Sequence, residues 1–235
     1  MMGTEERKIK GAVFDLDHTL FDRYATLAEI APLLAEKFGF REGMSISDVT
    51  REFIYADKNY VHLGWPTVFS HLRVSVGFRE DVQFEDYRSF LLEQFMTHAV
   101  KFDFSIPMLR QLRNDGYKLA LITNGSGKVQ RAKISMLGLG DEFDNILISN
   151  EFGHNKPDPE PFLYTAEVLG CLPNELIYVG DDPKNDVYGS RNAGYTPVWV
   201  MTTGVWVYPD IPKPEFCVRD VSEIPGVLKI LNGDV

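Results

Sequence analysis

The chain has 235 residues, enough for one large domain or for a core carrying a substantial insertion. Its apolar and charged fractions, 44% and 25%, are those of an ordinary globular protein. A formal net charge of -10 argues against a general nucleic-acid surface, so an anionic ligand would need positive charge supplied locally by its site.

Met1 to Lys10 is polar and lacks an apolar signal region, and no run is long enough to span a bilayer. Cys171 and Cys217 lie far apart without metal-ligand spacing, which fits thiols of a reduced, cytoplasmic protein. The first predicted element is a buried strand, Ala12 to Phe14, followed at once by Asp15-Leu16-Asp17-His18-Thr19. Two acids at a strand's carboxyl end sit where open α/β sheets bind ligands. A polar turn is the simplest rival reading. A calcium loop fails, because its sixth and twelfth positions hold Leu20 and Thr26 where Gly and Glu are needed.

From Asp22 the pattern turns helical for about eighty residues, a span of domain size. Leu27, Ile30, Leu34 and Phe38 share one face, with Pro32 inside and Gly39 as a stop. Ser47 is the expected cap of a second helix that turns Val49, Phe53, Ala56 and Tyr60 inward. Pro66 opens a third with Val68, Phe69 and Leu72 on one face, and Phe84, Tyr87, Leu91 and Phe95 outline a fourth. The aromatic stripes read as core packing of a small bundle.

Beyond Phe102, helix and strand alternate. A helix is expected over Ile106 to Asp115, then the strand Leu119 to Ile122, closed by Thr123-Asn124-Gly125. Ser126 caps a helix to Leu137, and Asn145 to Ile148 is the next strand, followed by a loop from Ser149 to Asp158. Asp158 and Pro159 are placed as N-cap and first residue of a helix bearing Phe162, Ala166 and Leu169. Leu176 to Val179 is a strand ending in Gly180-Asp181-Asp182, a helix is expected from Asn185 to Ala193, and Pro197 to Val200 is a further strand. The tail, Phe216 to Asn232, adds an edge strand and a last helix. This alternation predicts an α/β fold with a parallel, doubly wound sheet.

In such a sheet the loops after the strands share one edge, so Asp15, Asp17, Thr123, Lys156, Asp181 and Asp182 can converge there. Like charges about 4 Å apart repel by about 4 kcal/mol at an effective dielectric near 20. A divalent cation neutralises them directly, and magnesium prefers such hard oxygen ligands.

Taken together, these residues resemble four motifs of the haloacid dehalogenase-like hydrolase superfamily. Asp15-Leu16-Asp17-His18-Thr19 resembles the first, Thr123 after an apolar strand the second, Lys156 in Asn155-Lys156-Pro157-Asp158-Pro159 the third, and Gly180-Asp181-Asp182-Pro183-Lys184-Asn185-Asp186 the fourth. The resemblance covers the whole core and is specific because all four occur in order. It implies a Rossmann-like catalytic core over residues 1–21 and 102–235, with an inserted all-helical cap over 22–101. It further implies a magnesium-dependent phosphatase of a small soluble phosphomonoester, nucleotide or sugar phosphate-like, working through an aspartyl-phosphate.

In that scheme Asp15 is the nucleophile and Asp17 the acid and base. Magnesium is held by Asp15, Asp181 and the Asp17 carbonyl. Lys156 adds positive charge, and Thr123 with the amides of Leu16, Asn124 and Gly125 binds phosphate oxygens. Asp186 orients Lys156 or a metal-bound water, and Asp182 plays a supporting part. His18 occupies a variable position of its motif and is assigned no chemistry; His62 with Trp65 could face a substrate from the cap. A phosphoglucomutase-like phosphotransferase is the main rival. A dehalogenase ranks lower because the second acid, Asp17, is present, and so does a silent binding module, because Asp15, Asp17, Lys156 and Asp181 are all present. A membrane or nucleic-acid polymer is not an expected partner, and oligomeric state is not encoded legibly.

Overall fold

In the computed structural model the described residues are 8–202, 204, 206 and 208–234, so most of the polar Met1–Lys10 segment lies outside them. The chain divides into two compact units: the described residues up to Phe21 with those from Lys101 onward, and Asp22–Val100. The first begins with β1 (Gly11–Phe14), which is buried along its length.

The second unit holds four helices: α1 (Arg23–Phe38), α2 (Ile46–Tyr60), α3 (Trp65–Ser75) and α4 (Phe84–Phe95). The Asp22 carboxylate caps α1 by accepting from the Ala25 amide at 2.9 Å. The two ends of the unit are tied by Asp22 N to Val100 O at 2.8 Å and Val100 N to Thr26 Oγ1 at 2.9 Å. The cap of α2 is Ser45, not Ser47, because only Ser45 has an acid three residues on: Asp48 returns a bond to the Ser45 amide at 2.9 Å. Tyr60 is half-buried rather than inward, packing against Tyr55 and His71. Inside, Arg23 and Asp57 form a buried ion pair at 2.8 Å, with the guanidinium 4.7 Å above Phe95.

In the first unit β1 is followed by α5 (Ser105–Asn114), β2 (Lys118–Thr123), α6 (Gly127–Leu137), β3 (Asn145–Ile148), the one-turn α7 (Ser149–Phe152) and α8 (Glu160–Leu169). Then come β4 (Leu176–Gly180), a π-helical turn (Pro183–Tyr188), α9 (Gly189–Asn192), β5 (Thr196–Val200), β6 (Phe216–Val218) and α10 (Ile224–Asn232). Three boundaries depart from expectation. The Ser149–Asp158 stretch contains α7 rather than being all loop, and α8 starts at Glu160 with Pro159 as its cap. The turn after β4 starts at Pro183, because the Asp182 carboxylate accepts from the Lys184 and Asn185 amides at 2.8 and 2.7 Å. Ser126 does precede α6, but its side chain makes no capping bond.

All six strands are parallel in the order β3-β2-β1-β4-β5-β6. The chain builds outward from β1 in one direction and returns to its other side with β4, so the order reverses at β1. Phe14 is level with Leu121 of β2 and Val179 of β4, so Asp15 emerges beside the ends of both neighbours. One face of the sheet packs Val13, Ile122 and Tyr178 against Phe162 and Ala166 of α8. No helix among the described residues is long and apolar enough to cross a membrane.

Candidate active site

The register that levels Asp15 with the ends of β2 and β4 delivers the acidic groups to one point. Single carboxylate oxygens of Asp15, Asp181 and Asp186 lie within 4.8 Å of one another, and all three residues are buried. Lys156 enters this cluster from the loop before α8. Its ammonium donates to Asp15 Oδ1 at 2.6 Å, Asp186 Oδ1 at 2.7 Å and the Tyr178 hydroxyl at 2.8 Å. A solvated surface lysine would be the default reading of that position, but Lys156 is only 4% exposed. Burying an ammonium costs several kcal/mol unless partners compensate, and here they do.

The backbone around Lys156 is held as firmly as its side chain. Asn124 Oδ1 accepts from the Lys156 amide at 2.9 Å and from Ser149 Oγ at 2.7 Å, while Asn124 Nδ2 donates to the Lys156 carbonyl at 2.9 Å. Asp186 is fixed by a second bond, from the Asp182 amide to Oδ2 at 3.0 Å. That approach requires Gly180, where a Cβ would meet the Asp186 carboxyl carbon at 2.5 Å. The Asp181 carbonyl accepts from the Trp199 indole at 2.8 Å. Asp182 spends a carboxylate oxygen on capping the turn that follows.

Asp17 is placed differently. Its carboxylate faces α6, accepting from Lys133 at 2.7 and 3.0 Å and from Gln130 at 3.0 Å. Gln130 also donates to Thr123 Oγ1 at the end of β2. The turn from Leu16 to Phe21 is tight: the Leu16 carbonyl accepts from Leu20 and Phe21, and His18 adopts φ of 62°. The predicted side chains of Asp15, Lys156, Asp181 and Asp186 thus form one cluster, and those of Asp17 and Thr123 a second group joined through Gln130. Asn124 braces the Lys156 backbone, and Asp182 the turn after β4. Sequence reasoning missed Tyr178, Gln130, Lys133, Ser149 and the side-chain role of Asn124. One signal was available: Gln130 and Lys133 share the inward face of α6 with Ile134 and Leu137, where polar groups need a reason.

The electrostatics follow from burial. Asp15 is pushed up to about 7 by desolvation, with the Lys156 charge opposing and Asp186 and Asp17 adding to the rise. Asp181 stands well above the usual carboxylate range through burial and the nearby Asp186, Asp15 and Asp182. For Lys156, burial pulls downward, but Asp15 and Asp186 outweigh it and hold the ammonium well above the lysine range. Among the described residues no donor reaches the Asp181 carboxylate. Buried acidic oxygens short of positive charge are a donor set that suits a hard divalent cation such as magnesium.

Comparison with known proteins follows the same lines. The profile described as haloacid dehalogenase-like hydrolase matches residues 12–200. The chain is 28% identical to N-acylneuraminate-9-phosphatase of Mus musculus, covering 96% of both. It is 31% identical to glyceraldehyde 3-phosphate phosphatase of Pyrococcus furiosus, over 96% of this chain and 94% of that one. Among solved structures, YfnB of Bacillus subtilis, described as a HAD-hydrolase bound to magnesium, superposes with a TM-score of 0.74 at 24% identity, covering 94% of this chain and 99% of that chain.

Proposed function

This chain belongs to the haloacid dehalogenase-like hydrolase family and is a phosphoric monoester hydrolase, and from that premise we propose that it cleaves a small soluble phosphomonoester through an aspartyl-phosphate. The observation that carries the reading is the buried Lys156 ammonium, bonded at once to Asp15 and Asp186 beside Asp181. A strand-end carboxylate with a fixed cation against it is built to meet a phosphate dianion rather than to stabilise a core.

Asp15 attacks phosphorus, so that an oxygen–phosphorus bond forms to its carboxylate as the ester oxygen leaves. Asp17 gives that leaving alkoxide a proton, then takes one from the water that hydrolyses the aspartyl-phosphate and frees phosphate. Lys156 offsets the repulsion between the Asp15 carboxylate and the incoming dianion, and Asp186 holds Lys156 in place. Thr123 and the amides of Leu16, Asn124 and Gly125 donate to the phosphate oxygens. Asp15, Asp181 and the Asp17 carbonyl would hold a magnesium ion, which when bound would supply charge neutralisation for the phosphoryl group.

Relatives named for acting on a sugar-acid phosphate and a triose phosphate support a small, soluble phosphate ester as the substrate class. The test is phosphate release from 4-nitrophenyl phosphate with magnesium, followed by a panel of nucleotides, triose phosphates and nine-carbon sugar-acid phosphates. We expect turnover that stops with chelator and in Asp15→Asn. Robust phosphate release in Asp15→Asn would overturn the mechanism.

A further inference from the structure

The general-acid role placed on Asp17 leaves unexplained why a lysine is buried against it. Lys133 is 3% exposed along its side chain, whereas the Asp17 side chain is 25% exposed. The ammonium is therefore committed inward while the carboxylate keeps access to solvent. Lys133 contacts both Asp17 oxygens, at 2.7 and 3.0 Å, and its ammonium lies 4.9 Å over the Phe21 ring. Phe21 bridges back to Asp17 across the tight turn. One lysine thus grips the start and the end of the turn that carries the acid.

Gln130, one helical turn earlier on α6, adds a second constraint. Its Nε2 donates to Asp17 Oδ2 at 3.0 Å and to Thr123 Oγ1 at 2.5 Å. The bond to Thr123 occupies a lone pair of the hydroxyl, whose proton is held only by a long bond to the Asn124 carbonyl at 3.4 Å. A single amide thereby sets the distance between the Thr123 hydroxyl and the Asp17 carboxylate, both of whose oxygens accept bonds here. Positions i and i+3 on a helix face the same way, so α6 presents both groups to Asp17 as one rigid surface.

We propose that Gln130 and Lys133 are positioning residues that hold Asp17 for proton transfer to the leaving group. The inference rests on the phosphatase reading above. Its consequence is selective. Fixing the acid matters most when the departing oxygen is basic, and little when the leaving group departs readily as an anion.

The test is a series of substituted phenyl phosphates with magnesium, from 4-nitrophenyl, a good leaving group, to unsubstituted phenyl, a poor one. The quantity compared is kcat/KM, which reports bond cleavage to the departing phenol and not the later hydrolysis. In Lys133→Met and Gln130→Leu we expect kcat/KM on phenyl phosphate to fall by at least about tenfold, a modest part of what general acids contribute. On 4-nitrophenyl phosphate the loss should stay within about threefold. Lys133→Arg, which keeps the charge, should recover most of the phenyl phosphate rate. An equal loss across the series, or no loss, overturns the inference while leaving the phosphatase reading intact. No turnover of any ester by the wild-type enzyme overturns both. Should Lys133→Met not fold, Gln130→Leu and Lys133→Arg decide by the same comparison.

Discussion

Lys156 and Tyr178 form a demanding pair, because each buries a polar group that the other satisfies. The Tyr178 hydroxyl accepts from Lys156 at 2.8 Å and donates to the Ile122 carbonyl at 3.1 Å, linking β4 to β2 across β1. Burial holds this phenol well above the usual tyrosine range, so it stays a neutral donor. Tyr178→Phe deprives Ile122 of a donor and Lys156 of one of three acceptors. It should cost about 1–3 kcal/mol in urea unfolding, with a smaller effect on KM than on kcat. Lys156→Met removes the cation from among Asp15, Asp181 and Asp186 and should cost more, about 3–5 kcal/mol in metal-free buffer. Equal, small losses in the two variants would mean that the ammonium is not holding the carboxylates together.

β4 and the turn after it act as a unit, and Gly180 is where that unit has no slack. Adding a Cβ there drives it into the Asp186 carboxylate, which in turn aligns Lys156. Gly180→Ala should therefore destabilise by about 1–3 kcal/mol, as overpacking does, and lower phosphate release by more than that loss explains. Gly226→Ala is the control: nothing lies within 4 Å of its Cβ, and it sits inside α10. It should leave activity unchanged and be neutral or stabilising by up to about 1 kcal/mol in thermal unfolding. At this scale the strands that carry the site were legible because each is a short apolar run stopped by a polar group: Asp15, Thr123 and Asp181 each follow such a run. Helix starts were less so. Ser45 and Ser47 are both good caps, and only the reciprocal bond from Asp48 separates them. The π-helical turn at Pro183–Tyr188 has no periodicity of its own to read; its bonds from Asp186 and Val187 to the Asp182 carbonyl appear only in three dimensions. The partners of the acids were hidden for a related reason. Lys133 meets Asp17 across 116 residues, and Tyr178 sits in a run that reads as plain apolar strand.

Across the whole molecule, a net charge of -10 and a knot of buried carboxylates make stability depend on what neutralises them. In the metal-free protein Asp15 titrates near 7, against about 3.9 for an ordinary aspartate. Between those values the native state holds a proton that the unfolded chain has released. The slope of unfolding free energy with pH is then negative. The Asp15 contribution is complete below about pH 4 and is lost as pH rises through about 7; Asp181, also raised, acts in the same direction. Lys156 is raised as well, but its contribution is lost only above the lysine range, outside this window. Asp48, lowered to about 2 by bonds from Ser45 and Arg51, opposes the trend only on the acid side, and its side chain is partly open to screening by solvent. In chelator the melting temperature should therefore fall by several degrees from pH 5 to pH 8, each kcal/mol being worth about 2–4 °C for a chain of this size. A cation that binds the ionised carboxylates competes with their protons, so magnesium should raise the melting temperature more at pH 8 than at pH 5. Asp15→Asn replaces the titrating group with a neutral one of the same shape. That variant should flatten the pH dependence and, in chelator at pH 8, melt above the wild type. A melting temperature independent of pH in chelator, or an equal magnesium effect at both pH values, would show that the acidic cluster is compensated by groups other than the proton and the cation. The expected pattern would mean instead that the site is kept at the expense of stability, with its carboxylates held ready for a charge the folded chain does not itself provide.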